Sequence, residues 1–124
     1  MTRVVIQLWQ SRVDSPQLAA TPFMMAASAA AMDLSVEIHA LGASVELFVR
    51  ANAGRHHAVA PLNRPLSAYV EDAMRTGAKV YVRSTAMRDR SLAAADLIEG
   101  CEGVIGMVTM LERMVQVDTT VLTY

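Results

Sequence analysis

Short runs of apolar, β-branched residues alternate along the chain with segments of helical character, and this order constrains the fold more than any other feature. Strands are predicted over residues 3–9, 34–40, 78–82, 103–107 and 119–123. Helices are predicted over residues 16–32, 44–51, 65–76, 92–99 and 109–115. Strands that alternate with helices favour right-handed crossovers and a mainly parallel sheet. We therefore predict an α/β fold, a three-layer α/β/α sandwich with a sheet of about five strands.

The second predicted strand has a different pattern from the others. Its apolar residues alternate strictly with Ser35, Glu37 and His39. Strict alternation is typical of a strand with one face in water or at an interface. We therefore expect this strand to lie toward an edge of the sheet.

Length and composition indicate one domain, residues 1–124, with one hydrophobic core. Hydrophobic residues make up 53% of the sequence and aromatic residues 5%, which suits helix-on-sheet packing. The net charge of −1 gives no electrostatic signal for nucleic acid or for a membrane surface. The most apolar stretch, residues 18–32, is shorter than the roughly 20 residues of a membrane span. A single cysteine and the absence of a signal peptide predict a cytoplasmic location.

The segment that follows the first strand, residues 10–16, contains no glycine. Dinucleotide-binding fingerprints and P-loops need glycines there so that the backbone can approach phosphate, and both are excluded. His56 and His57 are neighbours on a predicted loop, and their side chains should diverge. The sequence therefore predicts no cofactor and no metal site.

Arg83, Ser84 and Thr85 directly follow the third predicted strand. Ligands of parallel sheets bind beyond the carboxyl ends of the strands, so these residues form the best-placed polar cluster. An arginine beside hydroxyl groups suits a small anion, although an inter-subunit salt bridge explains the pattern equally well. His39 lies at the carboxyl end of the second strand, at the same edge. A histidine there suits the role of a base or a metal ligand, although it is more often an edge or interface residue.

Cys101 is the only thiol, and it precedes the fourth predicted strand. It should therefore lie at the amino edge of the sheet, away from the usual ligand position. No basic residue is adjacent in sequence, and Glu99 and Glu102 should raise its pKa. An idle or buried cysteine is the favoured interpretation.

Three stretches together resemble the DsrE/DsrF-like sulfur-relay family, which includes the TusD-type and YchN-type proteins. They are residues 19–27 (AATPFMMAA), 77–82 (GAKVYV) and 96–100 (DLIEG). The resemblance implies a small α/β subunit that assembles as a trimer or hexamer. It also implies persulfide transfer through a cysteine just after the third strand, where this sequence has Arg83.

Without that cysteine, the resemblance favours an accessory, non-catalytic subunit in sulfur trafficking or sulfur oxidation, because a persulfide carrier needs a thiolate. Its partners would be copies of itself and sulfur-carrier proteins. The alternative is a small-anion or nucleotide-binding module with an arginine-lined pocket. A sulfurtransferase that acts through Cys101 is the least favoured hypothesis.

Overall fold

Five strands form one parallel sheet at the centre of the protein, whose computed structural model describes residues 2–124. The sheet order is β6-β5-β2-β1-β7, and every neighbouring pair is parallel. A short antiparallel pair, β3 and β4, lies outside this sheet. The strands are β1 (Arg3–Leu8), β2 (Ser35–Ala40), β3 (Ala58–Val59), β4 (Arg64–Pro65), β5 (Lys79–Arg83), β6 (Gly103–Ile105) and β7 (Thr119–Thr123). The prediction of an α/β fold with about five mainly parallel strands is confirmed.

Helices α1 and α2 pack against each other, and α1 covers the middle of the sheet. The helices are α1 (Pro16–Ala31), α2 (Leu66–Thr76), α3 (Ser84–Asp89) and α4 (Met107–Met114), with 3-10 helices at Gly42–Phe48, Ala53–His56 and Ala94–Asp96. Pro16 occupies the first turn of α1, where a missing N–H leaves no intrahelical bond unmade. The main core lies on this side, where Phe23 of α1 meets Phe48 edge-to-face with ring centroids 5.8 Å apart.

The opposite face of the sheet is covered more thinly, by the single short helix α4. Met110 of this helix and Val5 of β1 are fully buried. Other apolar side chains on or beside α4 remain exposed, and we call them the α4 surface: Met107, Val108, Leu111, Val115, Val117 and Val121. Within residues 2–124, no helix combines the length and the hydropathy that a membrane span needs.

The expected edge position of the second strand is wrong, because β2 lies in the middle of the sheet between β1 and β5. Its alternating polar residues do not face water: Glu37 is 3% exposed and His39 is 0% exposed. They are buried because they bond to each other and because Arg113 of α4 reaches across the face to Glu37. A paired charge can occupy a core position that an unpaired one cannot.

The helix expected over residues 92–99 is also wrong, since only Ala94–Asp96 forms a 3-10 turn. Backbone groups of this segment bond instead to the segment around residue 49. Arg50 donates its N–H to the Asp96 carbonyl oxygen, and Ile98 donates to the Phe48 carbonyl oxygen. The polar stretch 83–91, for which no helix was predicted, contains α3.

Candidate functional site

Arg83, Ser84 and Thr85 lie where β5 ends and α3 begins, at the carboxyl edge of the sheet. Arg83 is half-buried, and its Nε is buried without a hydrogen-bond acceptor among residues 2–124. A buried donor without a partner is unfavourable, so the atom is available to a ligand or to another chain. None of the three residues lines any of the four cavities described for this protein.

A buried polar cluster on the thinly covered sheet face joins β1, β2, β5 and α4. Arg113 donates from Nε and Nη2 to the two carboxylate oxygens of Glu37, at 2.7 and 2.8 Å. Arg3 approaches the same carboxylate at 3.5 Å, and His39 Nε2 lies 2.9 Å from its Oε1. The Arg113 guanidinium also sits over the Tyr81 ring, 4.7 Å from its centroid. Two parallel donors on one carboxylate form a bidentate pair, which is stronger than a single charged hydrogen bond.

The partners in this cluster fix the protonation states of Glu37 and His39. Burial alone would raise the pKa of Glu37, but hydrogen bonds from Arg113 and His39 and the charge of Arg113 hold it below its usual value. Burial lowers the pKa of His39, and the bond to Glu37 only partly opposes this effect. An ionised carboxylate only accepts, so a neutral His39 carries its proton on Nε2. Its Nδ1 is then a buried acceptor with no partner among residues 2–124.

His39 and Arg83 project from the same side of neighbouring strands but have different surroundings. His39 is opposite Tyr81 in the strand register, and Arg83 lies two residues beyond Tyr81. The His39 ring packs edge-to-face on Tyr81 and is completely buried, whereas Arg83 is half-buried. His39 therefore belongs to the Glu37 cluster, and of the predicted ligand residues only Arg83, Ser84 and Thr85 lie at the carboxyl edge itself.

Cys101 lies at the amino edge of the sheet, two residues before β6 begins. Burial raises the pKa of its thiol to about 11, and the nearby charge of Arg55 opposes the shift. Burial is thus the dominant cause, where the sequence had suggested Glu99 and Glu102. At neutral pH only about one molecule in ten thousand would carry the thiolate.

A cavity of about 630 Å³ opens beside Cys101 at this same amino edge. It lies between the end of α2, the start of β5 and the segment before β6. Its lining comprises Arg55, Glu71, Met74, Arg75, Gly77, Ala78, Lys79, Ile98, Glu99, Gly100 and Glu102. Within residues 2–124, no three histidine, cysteine or acidic side chains converge as metal ligands would.

Sequence reasoning missed Arg113, Tyr81 and Arg55 as members of polar sites. Arg113 is far from Glu37 in sequence, and no local pattern connects them. Arg55 is one of several polar residues in an aperiodic stretch, yet it is 5% exposed. The one available signal was the Glu37–His39 spacing, which places both side chains on the same face of a strand.

Residues 3–124 match the sequence model of the DsrE/DsrF-like family. No curated protein sequence matches the chain. Among solved structures, the YchN protein from E. coli superposes with a TM-score of 0.78 at 17% identity, over 100% of both chains. MTH1491 from Methanobacterium thermoautotrophicum, a protein of unknown function, gives 0.66 at 19% identity over 100% of both chains. BT1422 from Bacteroides thetaiotaomicron, also of unknown function, gives 0.66 at 16% identity, over 98% of this chain and 94% of that one.

Proposed function

Because the chain belongs to the DsrE/DsrF-like family, we propose that it serves intracellular sulfur trafficking as an accessory, non-catalytic subunit. The observation that carries this proposal is the placement of its only thiol. Arg83 is the last residue of β5, at the position where the resemblance puts the cysteine of sulfur-relay proteins. Cys101 lies at the opposite edge of the sheet, and its pKa is raised to about 11. A persulfide carrier attacks as a thiolate, so this chain lacks the group that transfer requires.

Mass spectrometry after incubation with inorganic polysulfide tests this proposal. We expect the native protein to remain unmodified, because its thiol is protonated and half-buried. The Arg83→Cys variant, which places a thiol at the end of β5, should gain about 32 Da, the mass of one sulfur atom. Denatured wild-type protein is the control for donor activity and should gain the same mass. A rapid gain on Cys101 in the native wild type would overturn the non-catalytic assignment.

We also propose that the chain works as a homo-oligomer, a trimer or a hexamer, with sulfur-carrier proteins as further partners. The α4 surface supports self-association, because exposed apolar groups that cluster on a thinly covered face are typical of an interface. The earlier argument from an exposed β2 edge no longer applies, since β2 is central. Association would add the second layer of packing that this face lacks.

A second candidate function is the binding of a small oxyanion at Arg83, with Ser84 and Thr85 as additional donors. The unpartnered, buried Nε of Arg83 favours it. If this site exists, Arg83→Ala should weaken the binding of sulfite or thiosulfate by about 1.5–3 kcal/mol, the range for a charged hydrogen bond. Calorimetry on wild type and variant measures the difference. Unchanged affinity, or no binding in the wild type, would leave an inter-subunit salt bridge as the role of Arg83.

A further inference from the structure

Arg55 carries a charge inside the protein, and no acidic group among residues 2–124 forms an ion pair with it at contact distance. The residue belongs to the 3-10 helix Ala53–His56 and is 5% exposed. Its Nε donates to the Leu47 carbonyl oxygen at 2.9 Å. The ion pairs of residues 2–124 involve Glu37, Asp14 and Asp72, and none includes Arg55. Burying a guanidinium without a paired anion is unfavourable. The burial of Arg55 therefore suggests that a group outside the described residues pairs with it.

Arg55 helps to line the amino-edge cavity. Neither terminal nitrogen has a hydrogen-bond acceptor among residues 2–124, and neither is sealed from solvent. The terminal nitrogens of an arginine form a fork that fits the two oxygens of a carboxylate. The cavity volume of about 630 Å³ is within the range of small-molecule sites, roughly 300–1,000 Å³.

The remaining lining limits the charge and the shape of the ligand. Around Arg55, the cavity has the basic side chains Arg75 and Lys79 and the acidic side chains Glu71, Glu99 and Glu102. Arg75 is already paired with Asp72, so two remaining basic groups face three carboxylates, and a ligand with more than one negative charge would be repelled. Met74, Ala78 and Ile98 supply apolar surface for an organic body. Phosphate fits this lining poorly, and an apolar monocarboxylate fits it well.

We propose that the amino-edge cavity binds a small monocarboxylic acid, whose carboxylate accepts hydrogen bonds from the terminal nitrogens of Arg55. The apolar part of the ligand packs on Met74 and Ile98. This site is on the opposite edge of the sheet from Arg83, and it does not depend on the sulfur-related role. It gives the terminal nitrogens of Arg55 the acceptors that residues 2–124 do not provide.

Calorimetric titration with isocaproate tests the proposal, because this branched monocarboxylate has both required parts. We expect saturable binding of isocaproate, and binding at least about tenfold weaker for the uncharged isocaproamide. Inorganic phosphate should not compete. No saturable binding of isocaproate, equal binding of the amide, or displacement by phosphate would each overturn the proposal. These measurements use only wild-type protein.

Arg55→Gln supplies the matched variant. Its amide nitrogen is as many bonds from the backbone as the arginine Nε, so it keeps a donor for the Leu47 carbonyl oxygen. It removes only the charge and the terminal nitrogens. We expect an affinity loss of about ten- to a hundredfold. Arg12→Gln, the same change at an exposed arginine that pairs with Asp14, should leave affinity within about twofold. Equal losses in both variants would contradict a specific site.

A third variant, Glu71→Gln, separates ligand binding from a structural role of Arg55. The charge of Glu71 lies near Arg55, and this exposed side chain is the counterion that a purely structural arginine would use. If the cavity binds a carboxylate, removing this competing carboxylate should leave isocaproate affinity unchanged or increase it. A loss of affinity together with a large loss of stability would instead assign Arg55 to a structural pair.

Discussion

His39 is held neutral in the folded protein by its surroundings. Its Nε2 proton bonds to Glu37, Tyr81 covers the ring, and Nδ1 has no partner among the described residues. Adding a proton to Nδ1 would place a second donor in a space with no acceptor. It would also put a positive charge on the ring, which the charges of Arg113 and Arg3 would repel. Folding therefore opposes protonation of this side chain.

We predict that stability falls as the pH decreases below about 6.5, the ordinary pKa of histidine. The pKa of His39 is lower than this value in the folded protein. As the pH decreases, the unfolded chain therefore binds the proton at a higher pH than the folded protein does, and this stabilises the unfolded state. For one titrating group, the free energy of unfolding cannot change by more than about 1.4 kcal/mol per pH unit. The pKa of Glu37 is also lowered, so a further loss should begin below about pH 4.5.

Urea denaturation at a series of pH values measures both effects. His39→Gln, which keeps a donor for Glu37, should lose the fall in stability that begins below about pH 6.5. His57→Gln, on an exposed loop, should keep it. If the free energy of unfolding of His39→Gln still falls below about pH 6.5 as it does in the wild type, a group other than His39 titrates there.

Helix α4 is attached to the sheet mainly by one ion pair and one methionine. Arg113 holds Glu37 with two hydrogen bonds, and Met110 is fully buried against the same face. Met114 is partly buried, whereas Met107, Val108 and Leu111 contribute little because they are exposed. The stability of this element therefore depends on the Glu37–Arg113 pair.

Arg113→Leu should lower the free energy of unfolding by about 3 kcal/mol, since it leaves Glu37 buried with weaker partners. This is the lower end of the range for a buried pair, because the Arg113 side chain is 33% exposed. The double variant Glu37→Leu/Arg113→Leu should recover most of the loss. Arg88→Leu, at an exposed arginine of α3, should change stability by less than about 0.5 kcal/mol. Thermal and urea denaturation compare the four proteins.

The elements that sequence periodicity predicted well are those whose residues satisfy one another locally. Helix α2, with its amphipathic stripe, follows the predicted bounds closely. The prediction was wrong where distant partners decide the structure. Residues 92–99 are held by backbone bonds to residues 48 and 50, and Glu37 and His39 are buried because Arg113 meets them. The Arg55 cavity could not be predicted, because three separate segments form it.

At the scale of the whole molecule, the α4 surface predicts the state of assembly. We expect light scattering at micromolar concentration to give about three or six times the chain mass of 13.4 kDa. Leu111→Lys, which puts a charge at a position that is 56% exposed, should reduce this mass to that of one chain. Leu62→Lys, at an exposed leucine of a loop, should not. A wild-type mass of 13.4 kDa would contradict both the oligomer and the interface.

The sheet order has a consequence for how the chain is made. Strand β1 lies between β2 and β7, so within this sheet the strand that is synthesised first is paired with the one that is synthesised last. Until β7 leaves the ribosome, one edge of β1 is open, with unpaired N–H and C=O groups beside the buried side chains of Val4 and Ile6. Pairing between such distant segments is slow, and the exposed edge is a site for association with other unfinished chains. The arrangement that protects β1 in the mature protein leaves it unprotected during synthesis.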